Sequence, residues 1–135
     1  MQTIYLLCGV PASGKTWVSE RVGDKFAHVE HDYYTHDAIV KAAYIQAHEG
    51  CKPVLVDCPF NERRLRERLE LFRLLVVPLF IVEGPSTIAD RYYKREGKWP
   101  ASNILTRAET IMEKVREWNA FHGTSAQVLE YLKGI

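Results

Sequence analysis

The sequence predicts an α/β fold, a three-layer sandwich with a parallel sheet of four or five strands and helices on both faces. Two observations predict it. Short apolar, partly β-branched runs at residues 3–8, 53–57 and 76–82 alternate with stretches of helical apolar spacing. Between the first run and the first helical stretch stands Gly9-Val10-Pro11-Ala12-Ser13-Gly14-Lys15-Thr16. This is a complete G-x-x-x-x-G-K-[ST] pattern, which requires a strand before it and a helix after it.

The elements follow in order. Residues 3–8 read as a buried parallel strand. Residues 17–26 carry apolar side chains at 17, 18, 22 and 26, a helical spacing. Residues 27–31 read as a short second strand. Thr35 is placed to cap a helix running to about Glu49, with Ile39, Ala42, Ala43 and Gln46 on one side, and Gly50 ends it. Residues 53–57 form a third strand ending in an acid. Asn61 is placed to cap a helix bearing Leu65, Leu69 and Phe72. Residues 76–82 form a fourth strand, where Pro78 favours an edge position or a strand start. Pro85 opens a helix to about Glu96, and Gly97-Lys98-Trp99-Pro100 breaks it. A long helix follows with Ile104, Ala108, Ile111, Val115 and Trp118 on one face. Residues 125–132 fit either a helix or a last strand. The whole is a single domain, 1–135.

The chemistry of the glycine-rich turn follows from its residue types. Glycines allow the backbone to wrap a phosphate chain closely. Successive N–H groups at a helix N-terminus then form an anion nest, aided by the helix dipole. Lys15 suits the β- and γ-phosphates, and the Thr16 hydroxyl suits Mg²⁺. Gly9, Pro11, Ala12, Ser13, Gly14, Lys15 and Thr16 are therefore the expected contacts to a nucleoside triphosphate such as ATP.

Composition narrows the class. The 135 residues are 47% hydrophobic and 26% charged, ordinary for a globular protein. No apolar stretch reaches the length of a membrane span. Residues 1–15 lack the features of a secretory signal, so the expected location is cytoplasmic. Cys8, Cys51 and Cys58 include no C-x-x-C pair, which argues against a disulfide framework or a zinc site; all three are expected to be buried. His31 and His36 are weak metal candidates, because Mg²⁺ prefers oxygen. Residues 1–57 carry 5 Lys and Arg against 7 Asp and Glu, whereas residues 58–135 carry 13 against 10. The basic residues gather at 63–73 and 91–98. Such clusters suit a polyanionic partner or, for the first cluster preferably, a solvated helix face paired with Glu62, Glu67 and Glu70.

In parallel α/β sheets ligands bind beyond the carboxyl ends of the strands. That rule gathers the loops at 9–16, 31–36 and 57–61. Asp32, just past the second strand, is placed either as the base that accepts a proton from an attacking hydroxyl or as a helix-capping residue. Asp57, ending the third strand, is placed to hold Mg²⁺ with Thr16. Arg91 and Arg95 share one helix face next to the Gly97 break, which reads as a lid over residues 91–103 that closes on the triphosphate. Tyr92, Tyr93 and Trp99 fit lid packing better than base stacking.

Taken together, residues 9–17, His31-Asp32-Tyr33-Tyr34, residues 56–64 and Arg91-Tyr92-Tyr93-Lys94-Arg95-Glu96-Gly97 resemble the 5′-kinase domains of the bacteriophage polynucleotide kinase family. The resemblance implies a P-loop kinase-like fold and ATP-dependent, Mg²⁺-dependent transfer of the γ-phosphate to a nucleic-acid 5′-hydroxyl. It implies Asp32 as general base, Lys15 and Thr16 at the triphosphate and metal, and Arg95 on the phosphates with Arg91 nearby. It also implies host cytoplasm for a phage-encoded chain. One position departs from the family pattern: Thr35 stands where the family has an arginine. The acceptor is thus the open part. Alternatives are a hydroxyl on a modified base, a nucleoside or a sugar, and, from another class, a nucleotide-dependent switch module. Homo-oligomerisation is left open, since no exposed stripe demands it.

Overall fold

A computed structural model describes residues 1–30, 35–58 and 62–135. It contains a five-stranded, all-parallel sheet of order β2-β3-β1-β4-β5. The strands are β1 (Ile4–Cys8), β2 (Ala27–Val29), β3 (Val54–Asp57), β4 (Val76–Ile81) and β5 (Phe121–Gly123). The helices are α1 (Lys15–Val22), α2 (His36–Glu49), α3 (Glu62–Leu71), α4 (Pro85–Glu96), α5 (Ser102–Trp118) and α6 (Ser125–Lys133). Among the described residues no helix is long and apolar enough to cross a membrane.

Side chains alternate across each strand, so an almost unbroken apolar strand means that both sheet faces are covered. Ile4, Leu6, Cys8, Val54 and Val56 pack on one face with Ile39 and Ala43 of α2, Leu65 and Leu69 of α3, and Ile111 and Val115 of α5. Leu7, Leu55 and Leu79 pack on the other with Val18 and Val22 of α1 and Val128 and Leu132 of α6. The expected three layers are present.

Local signals set the helix ends. The Thr35 hydroxyl accepts from the Ala38 N–H at 3.3 Å and Gly50 closes α2, as expected. Pro85 opens α4, and Gly97, at φ 72°, ends it in the left-handed conformation. Thr124 and Gln127 form a reciprocal capping box that starts α6. This resolves the ambiguity at 125–132 in favour of a helix, with β5 just before it.

Several expectations are corrected. Pro78 lies in β4, between β1 and β5, not at an edge of the sheet. Val82 N–H donates to Gly123 of β5, so by alternation the absent Pro78 N–H also faces β5. The β4–β5 pairing begins only at Leu79 opposite Phe121, so no ladder bond is lost there. Strand β2 is shorter than the expected 27–31. Helix α1 ends at Val22, and a 3-10 turn, Gly23–Lys25, carries the chain to buried Phe26. Trp17, expected on the apolar face, is exposed under the Arg21 guanidinium. Cys51 is exposed, while Cys8 and Cys58 are buried. The capping role expected for Asn61 falls outside the described residues.

Candidate active site

The loop between β1 and α1 is held by its own geometry. Ser13 N–H donates to Val10 C=O at 3.1 Å, tightening the turn. Ala12 lies at φ 67° and Gly14 at φ 112°, both in the left-handed region. Gly14 is needed twice over: that backbone favours glycine, and a Cβ there would sit 2.9 Å from Ser125 Cβ at the start of α6. At Gly9 a Cβ would meet the buried Ser13 hydroxyl at 2.5 Å. A backbone so shaped, ending at the N-terminus of α1, favours anions.

Lys15 turns back over the sheet end. Its Nζ donates to Cys58 C=O at 3.0 Å and lies 3.8 Å from Asp57 Oδ1. Both side chains are largely buried, which strengthens their attraction relative to a surface pair. A cavity of about 430 Å³ opens above them, lined by Pro11, Ala12, Gly14, Lys15, Thr16, Trp17, Asp57, Arg91 and Arg95. The structure therefore brings together eight of the sequence-predicted residues in one cavity wall, with Gly9 and Ser13 in the loop beneath. Asp32 and His31 lie outside the described residues.

The two arginines of α4 differ. Arg91 Nη1 donates to Ser13 C=O at 3.0 Å, and its Nη2 lies 3.6 Å from Glu83 Oε1. Glu83 in turn accepts from the N–H and the hydroxyl of Ser125 at 3.1 and 3.2 Å. Arg91 thus ties α4 to the phosphate loop and to α6. Arg95 pairs with neighbouring Glu96 and lies over the Tyr92 ring. Tyr93 packs against Trp99.

Thr16 and Asp57 share the cavity wall and supply a hydroxyl and a carboxylate oxygen. Among the described residues no cluster of three or more His, Cys, Asp or Glu could hold a metal by itself. Two protein oxygens suit Mg²⁺, which is commonly held by one or two protein groups together with substrate phosphates.

Beneath the loop the Cys8 thiol is pushed well above its usual pKa, first by burial and then by a hydrogen bond with Cys58. Glu62 acts on the same thiol in the same direction and Lys15 in the opposite one. Glu62 is itself buried at the start of α3 and is ion-paired with Arg107 of α5. Sequence reading missed Glu83 and the Glu62–Arg107 pair. No local pattern signals contacts that join residues more than 40 positions apart.

No family model matches the chain, and no curated protein matches it. Solved structures do. A tunicamycin resistance protein from Deinococcus radiodurans is similar over 99% of this chain and 95% of its own, at TM-score 0.74 and 16% identity. A gluconokinase from Sinorhizobium meliloti 1021 is similar over 98% and 90%, at TM-score 0.61 and 20% identity. A shikimate kinase from Bacteroides thetaiotaomicron is similar over 98% and 99%, at TM-score 0.58 and 15% identity. The fold is the α/β P-loop fold of small kinases. The resemblance to bacteriophage polynucleotide kinases gains no sequence match.

Proposed function

We propose that this protein is an ATP-dependent phosphotransferase with an alcohol acceptor. The observation that carries the reading is the single cavity in which the phosphate loop, Lys15, Thr16, Asp57, Arg91 and Arg95 meet. The kinases named above, which share the fold, support it. Lys15 and Arg95 neutralise the γ-phosphate, and the loop backbone holds the β-phosphate. Asp32 takes the proton of the acceptor hydroxyl, whose oxygen attacks the γ-phosphorus in line as the bond to the β-phosphate oxygen breaks. The products are a phosphate ester and ADP. Mg²⁺, held by Thr16 and Asp57, supplies charge neutralisation between the phosphates when bound.

Two acceptors have support. A polynucleotide 5′-hydroxyl is supported by the order and spacing of the motifs that resemble the bacteriophage kinases. A small hydroxyl compound is supported by the gluconokinase and shikimate kinase likenesses and by the ion pairing of the basic face. Arg63, Arg66 and Arg68 are paired with Glu117, Glu70 and Asp37, which leaves a weak field for a polyanion. The switch-module reading is disfavoured, because it gives an alcohol-directed base no role.

The test uses γ-labelled ATP, Mg²⁺ and a single-stranded oligonucleotide with a free 5′-hydroxyl, beside its 5′-phosphorylated control and small alcohols. Label on the 5′-hydroxyl strand alone selects the polynucleotide. Label on a small alcohol alone selects the other acceptor. ATP hydrolysis with no labelled acceptor, and a partner bound in one nucleotide state only, would return the switch reading.

A further inference from the structure

Among the described residues, the cavity above Lys15 and Asp57 has a single aromatic side chain in its wall, Trp17. Phosphate transfer itself has no use for an indole. Trp17 is 38% exposed, so its ring is not a core residue. Arg21, one turn further along α1, places its guanidinium 4.4 Å from the ring centroid and donates to the Trp17 carbonyl at 3.1 Å. The arginine thus steadies the indole from one face. A ring held in this way keeps its second face for a planar partner.

The direction in which Trp17 lies follows from the helix period, about 100° per residue. Val18 and Val22 face the sheet. Thr16, Ser19 and Glu20 line a smaller hollow, shared with Asp57 and with Asp24, His28 and Glu30 around β2. Trp17 and Arg21, at i and i+4, occupy the remaining flank of α1. In the proposed reaction the γ-phosphate sits at the Lys15–Asp57 end of the cavity. A triphosphate is a linear chain, so a γ-phosphate near Asp57 sends the nucleoside away from it. Trp17 stands on the flank turned away from the Asp57 hollow.

The rest of the wall says how closely a base is read. Lys15, Thr16, Asp57 and Arg95 are the groups assigned to the phosphates and the metal. Arg91 is engaged by the Ser13 carbonyl and lies beside Glu83. Pro11, Ala12 and Gly14 complete the lining, which includes no Asn or Gln among the described residues. A stack accepts any base, because every base has a π-face, whereas discrimination needs hydrogen bonds to the base edge.

We infer that Trp17, steadied by Arg21, is the stacking platform for the nucleobase of the phosphate donor, and that it holds adenine and guanine alike. The inference rests on the phosphotransferase reading and names the donor specificity of that same cavity. Trp17 contributes grip on the nucleoside, not on the phosphates.

The experiment measures, by calorimetry with Mg²⁺ present, the binding of ATP, of GTP and of inorganic tripolyphosphate, which is the phosphate chain without a base. Trp17→Ala is expected to raise Kd for ATP and for GTP by about 5–150-fold, the range of one base–aromatic stack, and to leave tripolyphosphate within about twofold. Trp17→Phe keeps a stacking ring and is expected to restore most of the nucleotide affinity. ATP is expected to quench indole emission in the unaltered protein and not in Trp17→Phe, which retains Trp99 and Trp118. The thermal melts of both variants are expected to match the unaltered protein, since the ring is exposed. Equal losses for nucleotide and tripolyphosphate, or no loss for either, overturn the inference and leave the phosphate site standing. So does nucleotide binding that leaves Trp17 emission unmoved. A preference of more than about thirtyfold between ATP and GTP overturns it as well, because hydrogen bonds to the base edge are then at work. Failure of all three ligands to bind the unaltered protein sinks the phosphotransferase reading, and this inference with it.

Discussion

On the side of the cleft proposed for the nucleotide, the loop is shaped by its main chain, with left-handed residues at 12 and 14, closed by the Ser13–Val10 hydrogen bond and braced by α6. Between α3 and α5 the shaping groups are long side chains held in place by one another, Glu62 by Arg107 and Arg63 by Glu117. The first kind of site is defined by backbone shape and tolerates few substitutions. The second is defined by pairwise matching and can be retuned one residue at a time.

The largest expected effects fall at Lys15 and Asp32. Lys15→Ala is expected to lower phosphoryl transfer by about 10²–10³-fold and to weaken ATP binding, read by label transfer and calorimetry. Unchanged ATP kinetics would remove the nucleotide side from the comparison altogether. Asp32→Asn is expected to lower transfer by about 10²–10⁴-fold while ATP binding stays nearly intact. Full activity in that variant would discard the base assignment.

Next comes the backbone itself. Gly14→Ala places a Cβ against Ser125 in a backbone that disfavours it, at an expected cost of about 2–4 kcal/mol in chemical denaturation. A neutral result would mean that the loop is less constrained than its geometry implies.

Arg91→Ala and Arg95→Ala then sharpen the contrast within one helix. Loss of the Arg91 bond to the Ser13 carbonyl is expected to cost about 1–2 kcal/mol of stability as well as activity. Loss of Arg95, exposed beside Glu96 and the Tyr92 ring, is expected to lower kcat and leave the melt unchanged. Equal melts for the two variants would erase the distinction. The smallest effect is on reactivity. Burial holds the Cys8 thiol protonated, so at pH 8 a disulfide reagent is expected to titrate exposed Cys51 alone, and all three thiols after denaturation. Rapid titration of a second thiol in the native state would show that the sheet end beneath the loop opens.

What could be read in advance follows the same division. The glycine spacing at 9–14, the β-branched run at 3–8 and the caps at Thr35, Pro85 and Gly97 are local, because each acts on its own backbone within a few residues. They placed the sheet, the helices and the phosphate loop. Arg91 and Arg95 were indistinguishable in sequence, since their difference lies in the Ser13 carbonyl, 78 positions from Arg91 in the chain. Glu62 read as one more charge on a solvated helix, because its partner Arg107 is 45 positions away. Strand β5, Phe121–Gly123, is too short to carry a period of its own and exists only as a rail for β4. Pro78 misled for the same reason: which side of a strand is paired is a property of the neighbour.

The brace between Gly14 and Ser125 has a consequence for how the molecule is made. Val18, Val22 and Phe26 bury themselves against Val128, Leu129 and Leu132, and Lys25 is bonded to the Lys133 carbonyl at 2.7 Å. A ribosome delivers the chain from the first residue onward, at about 5–20 residues per second. The phosphate loop emerges well before α6 and must wait for it before it has a wall to lean on. On the proposed reading, a nascent chain cannot complete its nucleotide site until α6 has cleared the exit tunnel, so the loop is finished long after it is made.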